Sequence, residues 1–331
     1  MSENVQENSI KGREKVFEKL LDKYENKGSK YDYLLLFSGG KDSTYLAHTV
    51  KKLKGKKVCL FTVDNGFEEE NFLNHVKKVA DDLELDHCIY KASEHDFERL
   101  YSFTIREKMF REIDPNPVCF LCGYFITALG VEFAEKNNIP AVIHGMSPTQ
   151  YNLQLDVKFD DVNDIAFERS VNLLEKIRFK KMHNIYELVK NVDVYRSDAI
   201  LKNVVDRIFY KSDKVDIILP FLFMEYNVEN IKKTIEDELG WTNIFGVDNS
   251  LYISSGCRMF NICLLLEKKI PGFRVKEKGE YEKDYKNGSV SEEAYSFIMG
   301  LAKDFDENCE ITEDMKAIVK RVGIEDIIYG G

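Results

Sequence analysis

The tightest constraint on this chain lies between residues 33 and 53. Tyr33-Leu34-Leu35-Leu36-Phe37 is an unbroken apolar run, the pattern of a strand buried on both faces of a parallel sheet. Ser38-Gly39-Gly40-Lys41-Asp42-Ser43 follows at once, and a helical pattern runs from about Ser43 to Leu53. Glycines at a strand-to-helix junction let successive backbone amides converge on an anion. The helix behind them aims its free amides and positive dipole end at the same point. Lys41 adds a mobile positive charge, Asp42 can hold Mg²⁺, and the Ser38 and Ser43 hydroxyls can donate hydrogen bonds. The Walker pattern GxxxxGK[ST] is absent. A chance match to six such residues is expected on the order of once in 10⁷ windows, so an incidental glycine turn is much the weaker reading.

The same alternation continues down the chain. Lys57 to Val63 reads as a second buried strand, ending at Asp64-Asn65-Gly66. The Asn-Gly pair invites a type I′ turn. Glu68–Leu85 reads as a helix, Asp86–Tyr90 as a third strand and Glu94–Arg111 as a helix. Asn116-Pro117 opens a helix to about Asn137, and Pro140–His144 forms a fourth strand ending at Gly145. Residues 163–213 read as mostly helical, and Val215–Leu219 as a fifth strand before Pro220. The prediction is a doubly wound parallel α/β sheet, with ligands at the carboxyl ends of its strands. A charged amphipathic helix over 11–27 precedes it, giving a helical extension over 1–28 and a nucleotide-binding domain over 29–225. The region 226–331 is expected to be mainly helical, with a helix at 227–239 ended by Gly240-Trp241 and a Ser289/Glu292 capping box opening another near 290–303.

Composition narrows the function classes. Lysine and arginine total 47 against 57 acidic residues, a formal charge of −10, which disfavours tRNA or another polyanion as partner. The lysines from Lys51 to Lys57 read as a solvated helix end. No stretch approaches the ~20 apolar residues of a membrane span. Seven cysteines in a chain of 331 residues point to a reducing cytoplasm, with thiols used singly or for metal.

Cys119-Phe120-Leu121-Cys122 lies just inside the helix that Asn116-Pro117 starts. Spacing i, i+3 puts both thiols on one helix face, and a helix N-terminus is expected to lower a thiol pKa. A buried pair, a redox disulfide and a metal site all fit this spacing. Structural zinc wants four closed ligands, and there is no second CxxC, so thiolate-only ligation suits iron–sulfur best. The third ligand must then be distant. Cys257, after Ser254-Ser255-Gly256, is the best candidate. Cys59, Cys88 and Cys263 read as core, and Cys309 as exposed. Arg169, Arg178, Arg196 and Arg207 could meet an anionic substrate, although exposed arginines are the commoner case.

The motif Ser38–Ser43 resembles the fingerprint of the PP-loop ATP pyrophosphatases, the adenine nucleotide alpha hydrolase-like (HUP-like) superfamily. The resemblance covers about residues 30–150 and extends toward 225. It implies cleavage of ATP to AMP and pyrophosphate, with a substrate oxygen taking the AMP before ammonia or a sulfur species displaces it. In such enzymes the second strand's end receives adenosine, so Asp64 is a candidate for the ribose or adenine edge. Gly145 after the fourth strand lets the backbone approach the nucleotide. Many thiolases of the superfamily follow this glycine with a His and paired Asp residues; Met146-Ser147-Pro148-Thr149-Gln150 stands here instead, which leaves any second acid open.

Two finer resemblances compete. A CxxC followed by one distant cysteine resembles the iron–sulfur tRNA thiolation enzymes, which implies a [4Fe-4S] cluster on Cys119, Cys122 and Cys257. Lys19–Tyr24, Tyr31-Asp32-Tyr33 and Asp237-Glu238-Leu239-Gly240-Trp241 resemble the N-acetyl sugar amidotransferases, which take ammonia from a glutaminase partner and usually begin with a CxxC segment lacking here. The leading expectation is a sulfurtransferase using ATP, Mg²⁺, an iron–sulfur cluster and a sulfur donor on a small-molecule or carrier-bound substrate. Lys41 and Asp42 are its expected catalytic residues, and a homodimer its expected state. The alternative is the amidotransferase; a non-catalytic nucleotide-binding protein comes last.

Overall fold

The computed structural model describes residues 14–28, 30–55, 57–114, 116–147, 150, 185–242, 256–275 and 310–330, with isolated residues between 282 and 296. Five parallel strands form one sheet: β1 (Tyr33–Leu36), β2 (Val58–Asp64), β3 (Asp86–Lys91), β4 (Ala141–Ile143) and β5 (Asp216–Ile218). Their order is β3-β2-β1-β4-β5. Tyr33, Leu34 and Leu35 pair with Val58, Cys59 and Leu60 on one side and with Ala141, Val142 and Ile143 on the other. The apolar runs are explained by this arrangement. β1 and β4 are buried throughout and β2 in all but its last residue, while the edge strand β3 is half exposed and carries Asp86, His87 and Lys91.

The helices that cover the sheet follow the expected alternation with local corrections. Residues 14–22 form α1. α2 (Lys41–Lys54) begins two residues earlier than expected, so Lys41 and Asp42 stand in its first turn. α3 is confined to Phe72–Asp82. Residues 67–69 escape it because they pair with a distant segment: Glu69 N–H donates to the Gly256 carbonyl (2.7 Å) and Arg258 N–H to the Phe67 carbonyl (2.8 Å). The helix expected over 94–111 is broken at Glu107, whose backbone is extended, giving α4 (Glu94–Arg106) and α5 (Lys108–Ile113). The Arg111 guanidinium donates to the Ile105 carbonyl across that break (2.8 Å).

Among the described residues one helix, α6 (Pro117–Lys136), does approach the length and composition of a membrane span. Yet 67% of its most apolar stretch is buried inside the protein. Its hydrophobicity is that of a central core helix. At Gly130 a Cβ would come within 2.5 Å of Leu36 Cδ2, so glycine lets the helix press against β1.

The described C-terminal part is helical: Val228–Leu239, Met259–Lys269, Glu313–Val322 and Glu325–Tyr329. The first packs on α2, and Glu313–Val322 packs against both α4 and Met259–Lys269. The helix expected near 290–303, Cys309, Arg169 and Arg178 lie outside the described residues.

Candidate functional site

The strand order reverses between β1 and β4, and ligands of open α/β sheets bind at such a reversal, beyond the carboxyl ends of the strands. The chain puts Ser38–Ser43 after one of these strands and Gly145 after the other. Gly39 has φ +70, and a Cβ there would stand 2.9 Å from Val76 Cγ1 and 3.0 Å from His75 Cδ2. Glycine is therefore required twice over, by backbone conformation and by space. Gly40 is the extended N-cap of α2 and has no side chain to block the helix amides. The Ser38 and Ser43 hydroxyls lie 3.2 Å apart, and the Ser38 amide donates to Ser43 Oγ (3.3 Å). A Cβ on Gly145 would meet Leu46 Cδ1 at 3.2 Å and the Ser43 backbone at 3.8 Å, so this glycine forms the floor against the start of α2.

Lys41 and Asp42 form one unit. Lys41 Nζ lies 2.7 Å from Asp42 Oδ2, with the lysine side chain 11% and the aspartate 24% exposed. Tyr226, after β5, joins them: its hydroxyl accepts from Lys41 Nζ (3.0 Å) and donates to Asp42 Oδ2 (3.4 Å). Asp42 Oδ1 is buried without a hydrogen-bond partner among the described residues. An orphaned carboxylate oxygen beside a phosphate loop suits a hard cation such as Mg²⁺.

The loop's shape is held from two sides. The Gly39 carbonyl accepts from His75 Nε2 on α3 and from Trp241 Nε1, each at 3.0 Å. Burial lowers the His75 pKa, which favours the neutral ring, and because a carbonyl can only accept, its hydrogen bond to Gly39 needs the proton on Nε2. Glu238 accepts from His48 Nε2 on α2 (2.8 Å) and is paired with Lys52. The Glu238 and Trp241 positions of the Asp237–Trp241 motif thus fasten the C-terminal part to α2 and the phosphate loop.

Beyond β2, Asp64 Oδ1 accepts the Gly66 amide (3.0 Å). The turn is not type I′, because Gly66 has positive φ but Asn65 does not. Asn65, buried, accepts the Phe67 amide (2.7 Å) and donates to Glu68 Oε1 (2.9 Å). Arg321 reaches in from the C-terminal helix to donate to the Gly66 carbonyl (2.8 Å) and to Glu98 (3.0 Å).

Three of the cysteines lie in the neighbourhood of this turn. Asn116 caps α6 by accepting the Cys119 amide (3.3 Å), leaving Cys119 exposed and Cys122 half-buried. Cys122 Sγ lies 3.2 Å from the hydroxyl of Tyr101, a fully buried residue of α4. Cys257 arrives by an antiparallel bridge to Glu68. Ionised Cys119 or Cys122 would each push the Cys257 thiol further up, so all three share one electrostatic neighbourhood. The expectation of a lowered thiol pKa is overturned. Burial outweighs the helix end, raising Cys122 to about 12 and Cys257 well above the ordinary value. Among the described residues, no three His, Cys, Asp or Glu side chains are grouped as around a single metal ion. Cluster thiolates bind separate irons, and the all-sulfur donor set suits iron–sulfur rather than a hard cation.

The remaining candidates resolve as structure. Cys59 and Cys263 are buried, and Cys88 is half-buried on the edge strand. Cys263 Sγ faces Asn116 Oδ1 at 3.8 Å. Arg207 makes a two-point ion pair with Glu132 (2.6 and 2.8 Å), and Arg196 donates to the Asn191 carbonyl. Tyr226, His75, Glu68 and Tyr101 carry no motif. His144, whose unpartnered Nδ1 is buried and whose pKa burial lowers to about 4, was visible only as the residue before Gly145.

A family model described as queuosine biosynthesis protein QueC matches residues 32–191, just under half of the chain. No curated protein matches. Solved structures with similarity include an NH3-dependent NAD synthetase from Campylobacter jejuni (13% identity, 59% of this chain and 91% of that one, TM-score 0.34). The U34-tRNA thiolase NcsA from Methanococcus maripaludis, with its [4Fe-4S] cluster, has 13% identity over 91% of this chain and 82% of that one (TM-score 0.41). The NMN synthetase from Francisella tularensis has 12% identity over 95% and 94% (TM-score 0.40). The matched segment includes the strands that carry the SGGKDS loop to the reversal point of the sheet, and over that segment the chain is similar to the QueC family.

Proposed function

We propose that the protein is an ATP-dependent sulfurtransferase that adenylates a carbonyl or carboxyl oxygen and replaces it with sulfur, using a cluster on Cys119, Cys122 and Cys257. The observation that carries this reading is the bridge of Cys257 to Glu68, which takes a thiol 135 positions beyond Cys122 to the same end of the sheet as the phosphate loop. The loop amides and the end of α2 receive phosphates. Lys41 offsets charge that develops on the transferred phosphoryl group. Asp42 Oδ1, which lies outside the Lys41 pair, would hold Mg²⁺, which would supply positive charge against the phosphates. Cys119, Cys122 and Cys257 would hold the cluster, which supplies an iron able to carry sulfur. Asp64 and Gly145 would border adenosine. With a net charge of −10, a small molecule or carrier-bound acyl group suits the protein better than tRNA.

One observation favours a second reading, the amidotransferase with a glutaminase partner. Glu238 and Trp241, within a motif resembling those enzymes, contact α2 and the phosphate loop directly. The two readings part at the cysteines. Anaerobically reconstituted Cys119→Ala, Cys122→Ala and Cys257→Ala should each lose iron, while Cys263→Ala should keep it. Full iron retention in Cys257→Ala would remove the ligand set on which sulfur transfer rests.

A further inference from the structure

We propose that Glu68 is a fourth, exchangeable ligand of this site, its carboxylate oxygen occupying the cluster iron that the three cysteines leave open. The inference rests on the iron–sulfur reading of the cysteines and deepens it. Three thiolates satisfy three irons of a cubane, and the fourth must take its ligand from the protein, substrate or solvent. Glu68 is the direct bridge partner of Cys257. Side chains opposite one another in an antiparallel pair emerge on the same face, with Cβ atoms about 5 Å apart. Glu68 and Cys257 therefore start toward the same space.

The carboxyl group is built in and half satisfied. Asn65 Nδ2 holds Oε1 at 2.9 Å, and the amide of Phe67 fixes Asn65 in turn (2.7 Å). Oε2 is buried and has no hydrogen-bond partner among the described residues. A buried acceptor left without a partner costs about 1–3 kcal/mol, a cost that binding a cation removes. Burial and the neighbouring Asp64 push the Glu68 carboxyl up to about 8, and its ionised form would push both Cys257 and Cys122 up, so the carboxyl and the thiols lie in one electrostatic neighbourhood. Arg258, the next residue after Cys257, also bears on Glu68, and its Nε is likewise buried and unpartnered. The same guanidinium pairs with Asp314 through Nη1 (2.6 Å), so what stays unspent at the rim of the thiol site is one acidic oxygen and one guanidinium nitrogen. Oxygen binds iron less firmly than thiolate sulfur, so the Glu68 carboxylate would be a ligand that exchanges readily. Cysteine at the same position would hold the iron too tightly.

The test uses full-length protein reconstituted anaerobically with ferrous iron and sulfide, and compares wild type with Glu68→Gln, Glu68→Ala and Glu68→Cys. Iron release to a chelator is followed in time, with electron paramagnetic resonance spectra of the dithionite-reduced cluster. Glutamine keeps the size of the side chain and its bond to Asn65, so it separates ligation from folding; melting followed by circular dichroism checks the alanine variant. The expected result is loss of one iron on the order of tenfold faster in Glu68→Gln and Glu68→Ala, with altered spectra. Glu68→Cys should release it no faster than wild type. Equal release rates and superposable spectra in wild type, Glu68→Gln and Glu68→Ala would overturn the assignment of Glu68 alone. Failure of wild type to take up any cluster would overturn the iron–sulfur reading and this inference together.

Discussion

The phosphate loop and the thiol site lie at the same end of one sheet, yet they are built in opposite ways. Six consecutive residues, one strand and one helix make the loop, and its geometry follows from local rules: positive φ at Gly39, an uncapped helix start at Gly40, paired hydroxyls at Ser38 and Ser43. The thiol site is assembled from α4, α6, the turn after β2 and residues 256–258. Two backbone hydrogen bonds, Glu69 to Gly256 and Arg258 to Phe67, fasten that last segment. A site built locally survives in the sequence as a motif. A site built from distant segments survives only as scattered residue types, and its failure modes are those of tertiary structure.

If the two regions are separable, each should be removable without the other. Asp42→Ala should lower AMP and pyrophosphate formation from ATP by about 10²–10³-fold, with the iron content of wild type. The test is product analysis with labelled ATP and any acceptor that supports turnover, or with the slow hydrolytic reaction. Undiminished AMP formation would deny Asp42 its metal role, while loss of iron would show that the two sites are one.

Trp241→Phe is a gentler probe of the same boundary. It removes one of two hydrogen bonds to the Gly39 carbonyl and keeps most of the packing. A buried hydrogen bond contributes about 1 kcal/mol, so nucleotide affinity should fall roughly five- to tenfold by titration calorimetry, with no change in iron. An unchanged affinity would mean that His75 alone shapes the loop.

The sheet was legible because its central strands β1, β2 and β4 are apolar runs with turn residues at their ends. The phosphate loop was legible because its chemistry needs consecutive residues. Cys257 was legible only through the glycine before it. Glu68 read as the start of a helix, since nothing in its neighbourhood announces that Asn65 bonds to Phe67 and Glu68 and delays α3 to Phe72. Tyr226 and Trp241 reach the loop from 185 and 202 positions away, contacts that no local pattern encodes. α6 was read as a helix from its Asn116-Pro117 start, and it is as apolar as a span because a helix buried in the middle of a protein has the same composition as one buried in lipid.

The account turns on whether the converging thiols hold a cluster. Wild-type protein purified without oxygen and reconstituted with iron and sulfide should be brown, with a broad visible absorbance and about four irons and four acid-labile sulfides per chain. A colourless protein with iron far below one per chain after reconstitution would contradict it.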